Sequence, residues 1–276
     1  MKKKNYENHM AGIIPLSDGK SHHEQLWHDT IAPVSKNVSA IQNAVYQCAH
    51  AGCDTIWIVS TYEDIGVARK LVGDWVHDPS DYARTSGRKD LRKEIPIYYV
   101  PIPPYDRNKG RTSLSWSILV GCLIAFRVGA SLSSWFLPNR FFVAFPLGVC
   151  DYESIRKDRI ALKTKKCVVY QKDGNSILNN HLLPFTLTKL PFIYARRHIR
   201  KGGSLDLDKV FSCLKDDFTV DFHEMVWYAD VRDWDHYAEF LATEHSRNLE
   251  PPDWHKIRFS KHKLWSLNGQ QNTEQD

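Results

Sequence analysis

Two short polar segments carry the residue types that hold anions. In Ser17-Asp18-Gly19-Lys20 a glycine lets the backbone approach a ligand closely, and the lysine beside it suits a phosphate oxygen. Asp106-Arg107-Asn108-Lys109-Gly110-Arg111-Thr112-Ser113 places cations just ahead of an apolar run. If that run is a helix, its first backbone amides together with Lys109 and Arg111 form an anion site. The plain alternatives are an ordinary surface turn for the first segment and a solvated loop, capped by Thr112 or Ser113, for the second. Zinc chemistry is not expected: the thirteen histidines show no His-x-x-x-His spacing, and the adjacent His22 and His23 cannot easily share one metal. Asp206-Leu207-Asp208 has Asp-x-Asp spacing but stands where a helix begins.

Such segments need a scaffold, and the chain opens on one. Ala11 to Leu16 reads as a strand, followed by a polar loop from Ser17 to Thr30. Val38, Ile41, Val45 and Cys48 then fall at three- and four-residue intervals, which predicts a helix over about 38–51, capped by Asn37 or Ser39 and stopped at Gly52. Thr55-Ile56-Trp57-Ile58-Val59-Ser60 is an uncharged, β-branched run suited to a strand covered on both faces. In an open parallel sheet ligands bind outside the carboxyl ends of the strands. That rule places Pro15, Leu16, Ser17, Asp18, Gly19 and Lys20 at the mouth of a site.

Further along, Ile65, Ala68, Leu71, Val72 and Trp75 predict a helix over 62–77. Ile95 to Val100 and Phe141 to Phe145 read as strands, with a long apolar helix, Leu114 to Val128, between them. A helix over 154–165 precedes a strand, Cys167 to Tyr170, and a hairpin turn at Lys172-Asp173-Gly174-Asn175. Residues 179–200 mix apolar and basic types without a clear period. A helix from Ser204 to Leu214 has Ser204 as its expected cap. The expected result is an α/β fold in which strands at about 11–16, 55–60, 95–100 and 141–145 are neighbours in one mostly parallel sheet.

The chain's 276 residues suffice for one sizeable domain, expected over 11–245, with a flexible segment at 1–10 and a polar tail at 246–276. A hydrophobic content of 42% and a charged content of 25% are ordinary for a globular protein. The net charge of +5 is too mild and too dispersed to suggest nucleic acid, while anionic small molecules remain compatible. Six well-separated cysteines read as reduced, mostly buried thiols, as expected of a cytoplasmic protein. No apolar run follows the lysines at the start, and the apolar stretch Ile118 to Phe126 is too short to span a bilayer, so neither a secretory signal nor a membrane is expected.

The order Ile13-Ile14-Pro15-Leu16, polar loop, Ile31-Ala32-Pro33-Val34-Ser35-Lys36, helix, Ala51-Gly52-Cys53-Asp54-Thr55-Ile56-Trp57-Ile58-Val59 resembles the amino-terminal half of the sugar-phosphate nucleotidyltransferases, the nucleoside-diphosphate-sugar pyrophosphorylases. Trp227-Tyr228-Ala229-Asp230-Val231 is similar to a second element of that family, in which a strand-end aspartate holds a metal. The resemblance implies a Rossmann-like three-layer sandwich of the nucleotide-diphospho-sugar transferase type, with Mg2+ as cofactor and a nucleoside triphosphate and a sugar phosphate as partners. It implies transfer of a nucleotidyl group to a sugar 1-phosphate, with Lys20 and Asp230 catalytic, Pro15 to Lys20 with Lys109, Gly110 and Thr112 on the nucleotide, and Asp230 on the metal; Asp151, the nearest carboxylate after the strand at 141–145, is the second candidate ligand. Asp230 has a structural alternative as the cap of a helix starting near Trp234.

Three positions depart from the family pattern. The loop has one glycine, its Pro-Lys position falls at or near Asp29-Thr30, and the Gly-Asp that should end the strand at 141–145 is replaced by Pro146-Leu147-Gly148-Val149-Cys150-Asp151. A catalytically silent binding protein of the same fold, and a glycosyltransferase of the same fold, are therefore the alternatives.

Overall fold

In the computed structural model the described residues are 9–16, 28–80, 93–109, 111, 113–133, 136–164 and 166–250. Their strands are β1 (Met10–Pro15), β2 (Pro33–Ser35), β3 (Val38–Ser39), β4 (Thr55–Ser60), β5 (Trp75–His77), β6 (Glu94–Pro101), β7 (Arg140–Val143), β8 (Gly148–Cys150), β9 (Cys167–Lys172), β10 (Asn175–Ser176), β11 (Phe185–Thr188), β12 (Val220–Glu224) and β13 (Tyr228–Asp230). The helices are α1 (Ala40–Ala51), α2 (Tyr62–Val72), α3 (Pro104–Asn108), α4 (Leu114–Leu132), α5 (Tyr152–Lys157), α6 (Lys189–Arg200), α7 (Leu207–Phe211), α8 (Cys213–Asp216), α9 (Trp234–Ala242) and α10 (Glu244–Asn248).

The central sheet runs β10-β9-β11-β7-β1-β4-β6-β5, with β12 beside β9. Its middle, β7-β1-β4-β6, is parallel throughout, and these are the four strands expected as neighbours. Ala11 stands between Thr55 on one side and Phe141 on the other. All six residues of β1 and of β4 are buried, as a parallel strand covered on both faces requires.

Successive side chains on a strand point to opposite faces. A β-carbon at Gly12 would press on Cys48 of α1, while Ile13 lies against Gly121 of α4. The two helices therefore sit on opposite faces of β1, and the fold is a three-layer α/β sandwich. Ser39 closes the first turn of α1 with a capping box: its backbone N–H donates to Gln42 Oε1 at 2.9 Å, and its Oγ accepts from the Gln42 N–H. Gly52, in the left-handed region at φ 79°, ends the helix.

Some boundaries differ from those expected. The helix starting at Tyr62 stops at Val72, because Gly73 takes φ 82° and turns the chain; Trp75–His77 then pairs antiparallel to β6 as an edge strand. Tyr99 fixes that corner by donating to the Gly73 carbonyl at 2.6 Å. Residues 179–200 resolve into β11 and α6, with Pro191 in the first turn of the helix, where its missing N–H costs nothing. Asp206, not Ser204, stands at the N-cap of α7, and Ser204 Oγ donates to its carboxylate. The helix expected over 154–165 is the shorter α5, followed by a 3-10 turn. The hairpin turn is present, with Asp173 at φ 51° and Gly174 at φ 78°.

The apolar stretch expected to be too short for a bilayer lies within α4, whose 19 residues are long and apolar enough to cross one by length and composition. Its most apolar window is 56% buried, and the helix packs on β1 and β4 as a core element. At the other end of the chain Ser246 Oγ donates to the Val34 carbonyl at 2.8 Å and Leu249 is buried, so the packed body continues through α10.

Candidate functional site

The carboxyl ends of β1 and β7 meet one another through the backbone. Ala144 N–H donates to the Ile13 carbonyl at 3.0 Å, and Leu16 N–H donates to the Val59 carbonyl at 2.9 Å. Beyond this edge lies a narrow cleft of about 360 Å3 counting the open solvent at its mouth, of which about 20 Å3 has room for water. Its apolar wall is Leu16, Leu114, Phe145, Pro146, Leu147 and Leu182; its polar groups come from His28, Asp29, Thr30 and Arg232. The site thus sits where an open parallel sheet binds its ligands.

Of the residues expected here, Pro15 and Leu16 line the cleft. Ser17, Asp18, Gly19, Lys20, Gly110 and Thr112 lie outside the described residues. Lys109 is not part of the described cleft wall: it follows α3, where its Nζ hydrogen-bonds the Tyr105 hydroxyl and lies 4.3 Å from the centre of that ring.

His28, Asp29 and Thr30 form a tight corner. Asp29 opens a single 3-10 turn, and His28 Nδ1 accepts the Thr30 N–H at 3.3 Å and lies 2.7 Å from Thr30 Oγ1. Asp29 and Thr30 are buried. A carboxylate therefore stands in the wall near the place where the family pattern has Pro-Lys. Its position in the motif was the only sequence signal for it.

Asp230 and Asp151 are not brought together. β13 runs antiparallel to β8, with Asp230 opposite Gly148 and Tyr228 opposite Cys150, while the Asp151 N–H donates to the Trp227 carbonyl. The two carboxylates therefore leave opposite ends of this ribbon, separated by about 10 Å along the strands. Asp151 is the N-cap of α5, accepting from the backbone of Glu153 at 3.1 Å and of Ser154 at 3.0 Å and from Ser154 Oγ at 2.7 Å. A cap needs an acceptor at that position, and both oxygens of Asp151 serve it.

Asp230 is held by Arg232. Arg232 Nε donates to Asp230 Oδ1 at 2.9 Å, and Nη2 donates to Oδ2 at 2.6 Å and to the Asn180 carbonyl at 2.7 Å. Tyr228 donates its hydroxyl to Asp230 Oδ2 at 3.1 Å while accepting the Leu182 N–H at 2.8 Å. Burial first, and then the Asp230 carboxylate, push the Tyr228 phenol well above its ordinary pKa, so it stays a donor. The helix-capping alternative for Asp230 is not realised, because Asp233 caps α9 by accepting the Asp235 N–H at 2.9 Å. Arg232 is the group that sequence reasoning missed: it lies two residues past the aspartate, beyond the end of β13, and no periodicity marks it.

The resemblance implies Mg2+, and the described residues show no assembled site for that ion. Among them no three His, Cys, Asp or Glu side chains gather to hold a metal. Both Asp230 oxygens are engaged by a guanidinium, Asp151 caps a helix, and buried Phe145 and Pro146 follow β7. Mg2+ takes oxygen ligands, commonly one or two carboxylates completed by substrate phosphates; among the described residues lining the cleft the one carboxylate is that of Asp29.

No family model matches the chain, and no curated protein matches it. Solved structures do. A putative glucose-1-phosphate thymidylyltransferase from Bacillus anthracis, in complex with a sucrose, superposes with a TM-score of 0.60 at 12% identity, over 88% of this chain and 97% of that one. A UTP-bound UGPase from Acinetobacter baumannii gives 0.57 at 10%, over 84% and 92%. A UDP-glucose pyrophosphorylase complexed with UDP-glucose gives 0.53 at 13%, over 84% and 97%. The fold is that of the sugar-phosphate nucleotidyltransferases, a mixed α/β architecture around a mostly parallel sheet.

Proposed function

We propose that this protein binds a nucleotide or a nucleotide-activated sugar in the cleft at the ends of β1 and β7, and that it is a binding member of the fold rather than a metal-dependent nucleotidyltransferase. One observation carries the reading: a cleft lies at the ligand edge of the sheet, while both oxygens of the aspartate matched to the metal position are engaged by Arg232 and apolar residues follow β7. The bound UTP and UDP-glucose of the similar structures support the ligand class.

In this reading Pro15 and Leu16 bound the nucleotide side. The apolar wall accepts the faces of a base or a sugar. Six free cysteines suit a reducing, cytoplasmic setting.

The test combines two measurements. UTP and UDP-glucose at millimolar concentration should raise the melting temperature, because a ligand bound by the native state alone stabilises it. Pyrophosphate release from UTP and glucose 1-phosphate should be absent. Absence of any shift with nucleoside triphosphates and nucleotide sugars sinks the binding reading; release of pyrophosphate returns the protein to the transferases.

A further inference from the structure

At the other end of the β8–β13 ribbon, away from Arg232, a second hollow opens beside the end of α1, the start of α5 and the end of α10. Its volume is about 260 Å3, against about 150 Å3 for a cavity that takes one benzene ring. Its wall includes His50, Asp151, Tyr152, Glu153, Trp227 and His245. The four rings stand in two stacked pairs. His50 lies on Tyr152 with centroids 5.2 Å apart and planes 10° apart, and His245 lies on Trp227 at 4.6 Å and 15°. Tyr152 is held from behind, its hydroxyl donating to Asn43 Oδ1 at 2.6 Å. Rings fixed in this way offer contact to the C–H groups of a ligand with little further ordering. His50 is 8% exposed and its Nδ1 has no hydrogen-bond partner, an arrangement that is costly to leave unanswered.

The charges of this wall select the ligand. Among the described residues lining it there is no lysine or arginine, and burial lowers the His50 pKa to about 4 and keeps that ring neutral, so a phosphate finds little to hold it. The carboxylates do not call for a cation either. Glu153 is paired with Arg156 at 2.9 Å, and Asp151 caps α5. Both keep room for a neutral donor, since a carboxylate has about four lone-pair sites. Asp151 fills three of them, with the two N–H groups and the hydroxyl it accepts. Hydroxyl groups suit such acceptors, and Asn248 adds an amide that both donates and accepts.

We infer that this hollow is a second binding site, for a neutral polyhydroxyl ring, that is, a sugar without phosphate. Ring edges and Leu249 meet its C–H groups, while the carboxylates, the Asn248 amide and the His50 imidazole meet its hydroxyls. The site is separate from the cleft at the ends of β1 and β7 and does not rest on the function proposed for that cleft.

Calorimetric titration of the full-length protein with glucose and with sucrose, each at millimolar concentration, tests this. At least one of the two should bind saturably, and UDP-glucose added beforehand should leave that affinity unchanged. His245→Ala removes the outer ring of an exposed stack, so it should melt close to wild type while binding the sugar about tenfold more weakly. His50→Gln should weaken binding to a similar degree; if it folds poorly, His245→Ala carries the test. Equal affinity in wild type and His245→Ala, displacement of the sugar by UDP-glucose, or no saturable binding of either sugar overturns the inference. A protein that takes the sugar and does not respond to UDP-glucose keeps this site and loses the function proposed for the cleft.

Discussion

Gly148 lies so close to Leu182 that a β-carbon at Gly148 would collide with the Leu182 carbonyl oxygen. The contact joins β8 to the loop that forms one wall of the cleft, and both partners are backbone, so neither can swing aside. Gly148→Ala should destabilise the protein by about 1–3 kcal/mol through overpacking, and should reduce the thermal shift given by UDP-glucose, because Leu147 and Leu182 both line the cleft. Urea unfolding and the ligand-dependent melting temperature of the variant are the measurements. Unchanged values in both would mean that this close approach is not needed.

A second outcome concerns acid. His50 is buried, stacked on Tyr152 with ring centroids 5.2 Å apart, and its Nδ1 has no hydrogen-bond partner. Burial, helped by Arg156 and Arg159 and opposed by Asp78 and Asp151, lowers its pKa from 6.5 to about 4. The folded state therefore favours the neutral ring, and the unfolded chain takes up the proton first as the pH falls. Stability from this group is full above pH 6.5 and is lost on the way down to about pH 4, by about 3 kcal/mol in all. In His50→Gln the slope of unfolding free energy against pH should flatten across that window, leaving the smaller contribution of His9, which burial shifts in the same direction.

Asp78 and Arg159 form a third testable element. Asp78 is 2% exposed on its side chain, Arg159 Nη1 donates to its Oδ1 at 2.8 Å, and Nη2 donates to Oδ2. Burial alone would raise the Asp78 pKa, but the arginine outweighs it and holds the carboxyl below its usual value. Asp78→Ala leaves a guanidinium half-buried without its partner and should cost about 3–5 kcal/mol. An apolar pair, Asp78→Leu with Arg159→Met, should recover most of that loss. If the single variant melts like wild type, the pair contributes nothing measurable.

Thiol chemistry provides a fourth. Five of the six cysteines are buried, and burial raises the pKa of Cys213, the least covered, to about 11. Thiolates are the reactive form, so a disulfide reagent near neutral pH should label the native protein slowly and all six thiols after denaturation. Prompt labelling of several thiols in the native protein would contradict this packing.

The sequence reveals the parallel heart of the sheet because its strands are self-announcing: Thr55–Ser60 and Phe141–Phe145 carry no charge, and the α1 pattern repeats over a full three turns. Shorter pieces escape. Trp75 continues the apolar spacing of α2, yet Gly73 turns the chain before it, and a single glycine in a charged stretch does not say on which side of it a helix ends. In 179–200 the apolar positions of β11 and α6 run together without a turn residue between Thr188 and Lys189. The site is least legible. Which way Asp230 faces depends on Arg232, Tyr228 and Asn180, brought together only by the antiparallel pairing of β13 with β8 and by a loop some fifty residues upstream.

The placement of β1 at the middle of the sheet sets an order of events for a chain made from its amino end. β1 pairs with β4 within the first sixty residues, and with β7 only when Val143 has emerged. β13 comes much later, the chain between Val143 and Asp230 taking on the order of ten seconds to synthesise. A nascent chain therefore carries the carboxyl edge of its sheet before it owns the Asp230–Arg232 pair. The Asp230–Arg232 pair joins the cleft late, with α9 and α10 still to pack after it, so a product cut short before Val231 would carry every strand of the parallel middle and lack the arginine.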